Sequence, residues 1–310
     1  MTAGIQRGRR VAVIGAHGRI ATAAGARLVT EGHDVTGYAR RRADGGTPAH
    51  PFPVRTLDID DPARLTDALT GFDTVLYAVG AHHGAVEIMT ALEVFEINAL
   101  AAQRAALAAH LGGARQFIYL SSTAAMAAGE NDGAAQGAYV RSKALAERTL
   151  PRCFPGALTI LRLGWVIDPT DEVARRQLWP AEGRQVIVGQ LPVPMVALDD
   201  VARAIATLTR HDGPELLGIV DLVGGCPSQR ALYDLVERLS DRRMRVTDVG
   251  TIDRMTRLAS LRRESAEPPT WLTQSVPTCA VDWATYGLPL RSWQDCVHLL
   301  RDVEPSADGS

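Results

Sequence analysis

Val11-Ala12-Val13-Ile14-Gly15-Ala16-His17-Gly18-Arg19-Ile20-Ala21 is the stretch whose reading decides the fold. A short apolar run of strand length ends in a glycine turn, and a helix-compatible segment, Arg19 to Glu31, follows at once. Gly15 and Gly18 let the chain turn tightly and let backbone N–H groups approach an anion at the helix N-terminus, where the dipole is positive. The spacing is GxxGxxA, with Ala21 still small enough for close packing of helix on sheet. A plain glycine turn after a strand would look the same. Its place within a strand–helix–strand unit is what gives the motif weight.

Outward from this turn the pattern repeats. Val35 to Tyr38, Thr74 to Val79, Gln116 to Leu120 and Leu158 to Leu163 have strand length, and Pro62 to Thr70, Ala85 to His110 and Tyr139 to Leu150 suit the helices between them. Strands alternating with helices pair in parallel through right-handed crossovers, so the expected fold is α/β, a doubly wound parallel sheet of Rossmann type. After Pro169 the pattern loosens: 170–195 carries Pro180, Pro192 and Pro194, then Asp199 to Arg210 reads as a helix, Gly218 to Val223 as a strand and Ser228 to Leu239 as a helix. The expected organisation is a dinucleotide-binding domain over 1–169, to which 196–224 returns, and a smaller interleaved substrate domain from 170–195 and 225–303. The small polar tail 304–310 is expected to fray.

Composition narrows the function classes. The chain has 310 residues, 46% hydrophobic and 22% charged, with a formal net charge of −2. That suits a globular protein with a sizeable core, and no basic excess points to nucleic acid or an anionic membrane, so a small-molecule partner is the default. Cys153, Cys226, Cys279 and Cys296 lie far apart, with no CxxC pair and no metal-ligand spacing, which reads as a reducing compartment and no structural metal. Arg9-Arg10 before an apolar run has the look of an export signal, but His17 and Arg19 interrupt it early, and no run approaches the roughly 18 apolar residues of a membrane span. A cytoplasmic location is expected. Of the 33 basic residues only Lys143 is a lysine, a bias that leaves this one position as a candidate for chemistry.

The second strand ends in Gly37-Tyr38-Ala39-Arg40-Arg41-Arg42. An acid there would suit the ribose hydroxyls of NAD, whereas an arginine without the acid suits a 2′-phosphate. NADP(H) is therefore expected over NAD(H), with Arg40 as the contact and Arg19 as a second cation on the same edge. A solvated charge run is the plain alternative. Asp58 serves either an adenine amino group or a turn before Pro62.

Tyr139-Val140-Arg141-Ser142-Lys143 places a phenol and the sole lysine four apart on one helix face. With six tyrosines in the chain, a randomly placed single lysine falls four after one in roughly 2% of cases. A phenol with a pKa near ~10 is a poor proton shuttle at neutral pH, but an adjacent ammonium favours the phenolate and lowers that pKa. Upstream, Phe117 to Leu120 runs into Ser121-Ser122-Thr123 at the carboxyl edge of the sheet, where a hydroxyl can hold a substrate carbonyl or simply cap a helix. Asn98 reads by itself as a buried amide. His82 and His83 are candidate acids or polar packing, and Trp179 and Trp271 line a pocket or fill a core.

GxxGxxA, Leu57-Asp58-Ile59, Asp73 to Ala78, Ile97-Asn98, Tyr119-Leu120-Ser121-Ser122, YxxxK, Leu161-Arg162-Leu163-Gly164 and Leu198-Asp199-Asp200-Val201 follow one another in the order of the extended short-chain dehydrogenases/reductases, the NAD-dependent epimerase/dehydratase family. The chain resembles that family over roughly 9–300. The resemblance implies a catalytic Ser122, Tyr139 and Lys143, with Asn98 anchoring a water relay from the lysine. It implies cofactor contacts from Gly15, His17, Gly18, Arg19, Ile20, Arg40, Asp58, Ile59, Ala78, Val79, Tyr139, Lys143 and Gly164, and a homodimer through the helices Ala85 to His110 and Tyr139 to Leu150. Thr123-Ala124 replaces the acidic pair of the sugar-nucleotide dehydratases, which argues against water elimination. Trp165 and Ile167 stand where many sugar-nucleotide enzymes carry an Asn before Tyr-Gly-Pro. The expected activity is that of an NADP(H)-dependent ketoreductase or alcohol dehydrogenase acting on a small carbonyl or alcohol. A sugar-nucleotide epimerase or 4-ketosugar reductase, and a non-catalytic dinucleotide sensor, are the alternatives.

Overall fold

The computed structural model describes residues 8–40, 50–81, 89–127, 134–179, 185–188, 192–211, 216–240, 245–248, 265–266 and 281–301. The chain opens with β1 (Arg10–Ile14), α1 (Arg19–Thr30), β2 (Asp34–Ala39), β3 (Val54–Thr56), α2 (Pro62–Leu69) and β4 (Thr74–Tyr77). Then come α3 (Ala91–Phe95), a π-turn over Glu96–Leu100 that leads without a break into α4 (Ala101–Leu111), β5 (Gln116–Ser122), a 3₁₀ turn (Thr123–Ala127), α5 (Ala134–Cys153) and β6 (Ala157–Leu163).

Seven strands form one parallel sheet, and in spatial order it runs β10 (Gly218–Leu222), β6, β5, β4, β1, β2, β3. The crossover between β1 and β4 opens a crevice at the carboxyl ends of these two strands, the place where open α/β sheets hold ligands. Side chains alternate across the sheet, and both faces are covered, which is why the strands read as continuous apolar runs. Val11, Val13, Ile118 and Leu120 join one core beneath α1 and α7 (Leu198–Arg210), while Ala12, Ile14, Phe117 and Tyr119 join the other beneath α2, α4 and α5. In α4 the buried face is made of alanines, whose small side chains let the helix lie close to the sheet.

A separate core gathers β7 (Trp165–Ile167), α6 (Glu172–Leu178), β9 (Met195–Ala197), α8 (Gln229–Ser240) and α9 (Trp293–Arg301). Trp179 packs against this core. Beside it β8 (Gln185–Val188) is flanked by β11 (Arg245–Asp248) and β12 (Ser265–Ala266). These four-residue and two-residue strands carry too few positions for an alternation to show, and none is read from the sequence. The edge strand β3 is equally short. His82, His83, Arg41, Arg42, Trp271, Cys279 and the 304–310 tail lie outside the described residues.

Candidate functional site

Gly15 has a φ of +90°, a conformation in which an L side chain would be strained, and a Cβ there would lie 2.9 Å from Val79 and 3.1 Å from the Ala78 backbone. The ends of β1 and β4 can approach only because that position carries no side chain. The Gly15 and Ala16 N–H groups donate to the Tyr38 carbonyl (2.8 and 3.1 Å), and Gly18 N–H closes the turn onto Gly15 O (2.9 Å). Gly18 is the N-cap of α1 and has no side chain to cap the helix, so the first-turn N–H groups face the crevice as an anion site. Ile20 is packed into the core beneath this turn. Two further glycines make room nearby: a Cβ on Gly25 of α1 would sit 2.1 Å from the core ring of Phe52, and one on Gly80 would sit 3.4 Å from both Asn98 Oδ1 and Lys143 Nζ. These features fit a bound dinucleotide pyrophosphate.

Around this cradle the expected cofactor residues divide. Arg40 is exposed just beyond β2 and unpaired among the described residues, as a 2′-phosphate contact requires. Arg19 is engaged elsewhere, 2.6 Å from Asp171 and 3.4 Å from Asp168. Asp171 also caps α6 through Ala174 N–H (3.1 Å), so Arg19 ties the nucleotide turn to the separate core that holds α6. His17 Nδ1 lies 2.9 Å from His50 Nε2, a partner with no sequence signal. Asp58 closes an Asx turn onto Asp60 N–H (3.0 Å), and it is Asp61 that caps α2. Ile59 packs against the core and its carbonyl accepts from Arg104. Gly164 is fixed by packing, since a Cβ there would meet the Pro194 carbonyl at 2.8 Å.

The structure brings Ser122, Tyr139 and Lys143 together. Tyr139 is half-buried and hydrogen-bonded to Ser122, whose Oγ also accepts from Ala124 N–H at 3.2 Å, a capping bond onto the turn that follows β5. Burial raises the Tyr139 pKa, and the Ser122 bond offsets this only in part. That corrects the expectation of a phenol already acidified by its lysine. Lys143 Nζ instead donates to the Leu120 carbonyl (2.8 Å) and lies 4.8 Å over the Tyr119 ring. Its own pKa is held down to about 7 by burial, against the opposing pull of Glu147.

Asn98 sits in the π-turn, fully buried. Its amide oxygen accepts from Ala81 N–H (2.9 Å) and its amide nitrogen donates to Ser142 Oγ (3.0 Å). The widened turn displaces backbone carbonyls from their helical partners. Two phenols from the sheet meet them, Tyr77 donating to Ile97 O (2.9 Å) and Tyr119 to Asn98 O (2.7 Å).

A family model described as NAD(P)H-binding matches residues 15–212. The chain belongs to that NAD(P)H-binding family. A comparison with curated protein sequences finds no match. Among solved structures, this NAD(P)H-binding protein is similar to a UDP-glucose 4-epimerase with UDP-glucose from Thermotoga maritima (TM-score 0.69, 15% identity, 94% of this chain and 97% of that one). It is also similar to a short-chain dehydrogenase/reductase superfamily protein with bound NAD from Agrobacterium tumefaciens (0.68, 17%, 94% and 95%). A dTDP-4-dehydrorhamnose reductase in complex with NADP from Bacillus anthracis is a third (0.65, 17%, 94% and 98%). The fold is thus that of the extended short-chain dehydrogenases/reductases. Among the described residues no helix is long and apolar enough to cross a membrane.

Proposed function

We propose that the protein is an NADP(H)-dependent oxidoreductase that interconverts a ketone and a secondary alcohol on a small molecule. The observation that carries this reading is the convergence of Tyr139, hydrogen-bonded to Ser122, and the sole lysine on the crevice where Gly15 admits a pyrophosphate. When bound, the nicotinamide supplies or accepts the hydride. Ser122 orients the substrate oxygen, and Tyr139 gives or takes the proton on that oxygen. Lys143 serves the ribose hydroxyls and, as an ammonium, opposes the burial that raises the Tyr139 pKa. Arg40, exposed and unpaired among the described residues, supports NADP(H) over NAD(H).

A sugar-nucleotide substrate is the second reading, favoured by the epimerase and reductase neighbours. The first domain holds the cofactor, and the lobe built on the separate core of β7, α6, β9, α8 and α9 holds the substrate. Two copies pair through the helices around Leu107 and Lys143, a reading supported by the exposure of Leu107 (49%) and Leu111 (66%) on α4.

The deciding experiment is to denature the purified protein, identify any nicotinamide released, and then titrate NADPH and NADH. Little retained cofactor and a preference for NADPH agree with the reductase. Near-stoichiometric retained NAD would overturn it in favour of an epimerase, which recycles its cofactor within the site.

A further inference from the structure

Tyr139, Lys143 and Glu147 stand at successive fourth positions of α5, and each grips one of three consecutive residues at the end of β5. Tyr139 bonds Ser122, Lys143 donates to the Leu120 carbonyl (2.8 Å), and Ser121 Oγ donates to Glu147 Oε1 (2.6 Å). Glu147 is buried and also takes a two-pronged bond from Arg162 on β6, at 2.9 Å from Nε and 2.6 Å from Nη2. Asp221 on β10 lies 4.0 Å from the same guanidinium. Ser121, Arg162 and Asp221 are register neighbours on adjacent strands. Four charges therefore run in a row of alternating sign across the carboxyl end of the sheet: Asp221, Arg162, Glu147, Lys143. Burying such a row is costly, and packing alone does not call for it.

We propose that Glu147 is a positioning residue that acts on Tyr139 through Lys143, supplying the counter-charge that keeps the lysine an ammonium inside a dry pocket, with Arg162 and Asp221 setting how much of that charge Lys143 feels. The proposal rests on the Tyr139–Lys143 site described above and deepens it. Among the described residues no other charge competes for the role. From β5 the lysine faces the neutral ring of Tyr119, itself stacked on Tyr77 of β4, and from the π-turn the amide of Asn98. Glu93 of α3 is engaged by Thr90, and Glu96 and Arg104 by one another. The 3₁₀ turn after β5 carries no ionisable side chain.

The single lysine makes the test direct, because protein grown on ¹³Cε-labelled lysine shows one lysine resonance. Its titration midpoint in the cofactor-free wild type is expected near 7. Glu147→Gln keeps the shape and one prong of the Arg162 pair but removes the charge, and is expected to lower the midpoint by about one pH unit, a tenfold loss of ammonium at a given pH above it. Asp221→Asn, at the far end of the row, is expected to lower it by less, and Glu147→Asp to return it toward wild type. Should Glu147→Gln fail to fold, Asp221→Asn decides.

The sign separates the proposal from a merely structural role. Loosening the pocket admits water and moves the midpoint up toward the free-lysine value of 10.5. A midpoint that rises or stays fixed in the charge-removing variants overturns the proposal. NADPH binding measured on the same samples tests the oxidoreductase reading separately. A falling midpoint without NADPH binding would leave the charge row standing and remove the assigned reaction.

Discussion

Tyr139 cannot be a ready base while burial raises its pKa, so its usefulness depends on the charge beside it. Tyr139→Phe keeps the ring and removes the proton, and turnover is expected to fall about 10²- to 10⁴-fold with NADPH affinity retained. NADPH oxidation with the first ketone the wild type reduces is the measurement. Lys143 carries a second consequence. Its folded pKa of about 7 lies below the free value of 10.5, so between the two the unfolded chain holds a proton that the folded chain has released. Stability of the cofactor-free protein should therefore rise with pH in that window, by up to about 1.4 kcal/mol per pH unit. The penalty is complete below the folded pKa and relieved above it. Lys143→Met should flatten the slope in urea titrations run at a series of pH values. The two arginines at the nucleotide edge should also separate. Arg40→Ala is expected to weaken NADPH binding about tenfold and leave NADH unchanged, whereas Arg19→Ala, whose partners are Asp168 and Asp171, should leave the NADPH-to-NADH ratio where it was.

At the scale of elements, the π-turn Glu96–Leu100 is where helix, sheet and site meet. It lowers Asn98 onto Ala81 and Ser142, and two buried phenols satisfy carbonyls displaced by the widened turn. Tyr119→Phe leaves the Asn98 carbonyl without its donor and should cost about 1–3 kcal/mol in urea unfolding. The ring remains beneath Lys143, so cofactor binding should be kept. None of this shows in Ile97-Asn98 read as sequence, since a wide turn and a regular one share the same apolar spacing. The helix of Tyr139 likewise begins earlier than its Tyr139–Leu150 reading, at Ala134, because a stretch of Ala, Gln and Gly carries no start signal of its own.

For the whole molecule, the exposed leucines of α4 and of the π-turn that leads into it matter most. Leu100, Leu107 and Leu111 are 38%, 49% and 66% exposed and lie seven and four residues apart, on one side of the helix. If this face pairs two copies, Leu107→Arg should halve the mass seen by analytical ultracentrifugation while the far-ultraviolet spectrum stays native. An unchanged mass would place any interface elsewhere.

What the sequence determined by itself was local: the glycine turn between strand and helix, the alternation that yields a parallel sheet, and the four-residue spacing of Tyr139 and Lys143. Such features are set by conformational preference and periodicity over a few residues, and they read directly. Only the tertiary structure decided that Arg19 belongs to Asp171, that Lys143 points at Leu120 O, that Tyr139 is made less acidic, and that Glu147 joins Arg162 and Asp221. These outcomes depend on desolvation and on partners brought together from distant parts of the chain, such as Ser121 and Glu147 or Arg19 and Asp171. A charge's protonation state and its partner are properties of the packed interior, and no run of neighbouring residues encodes them.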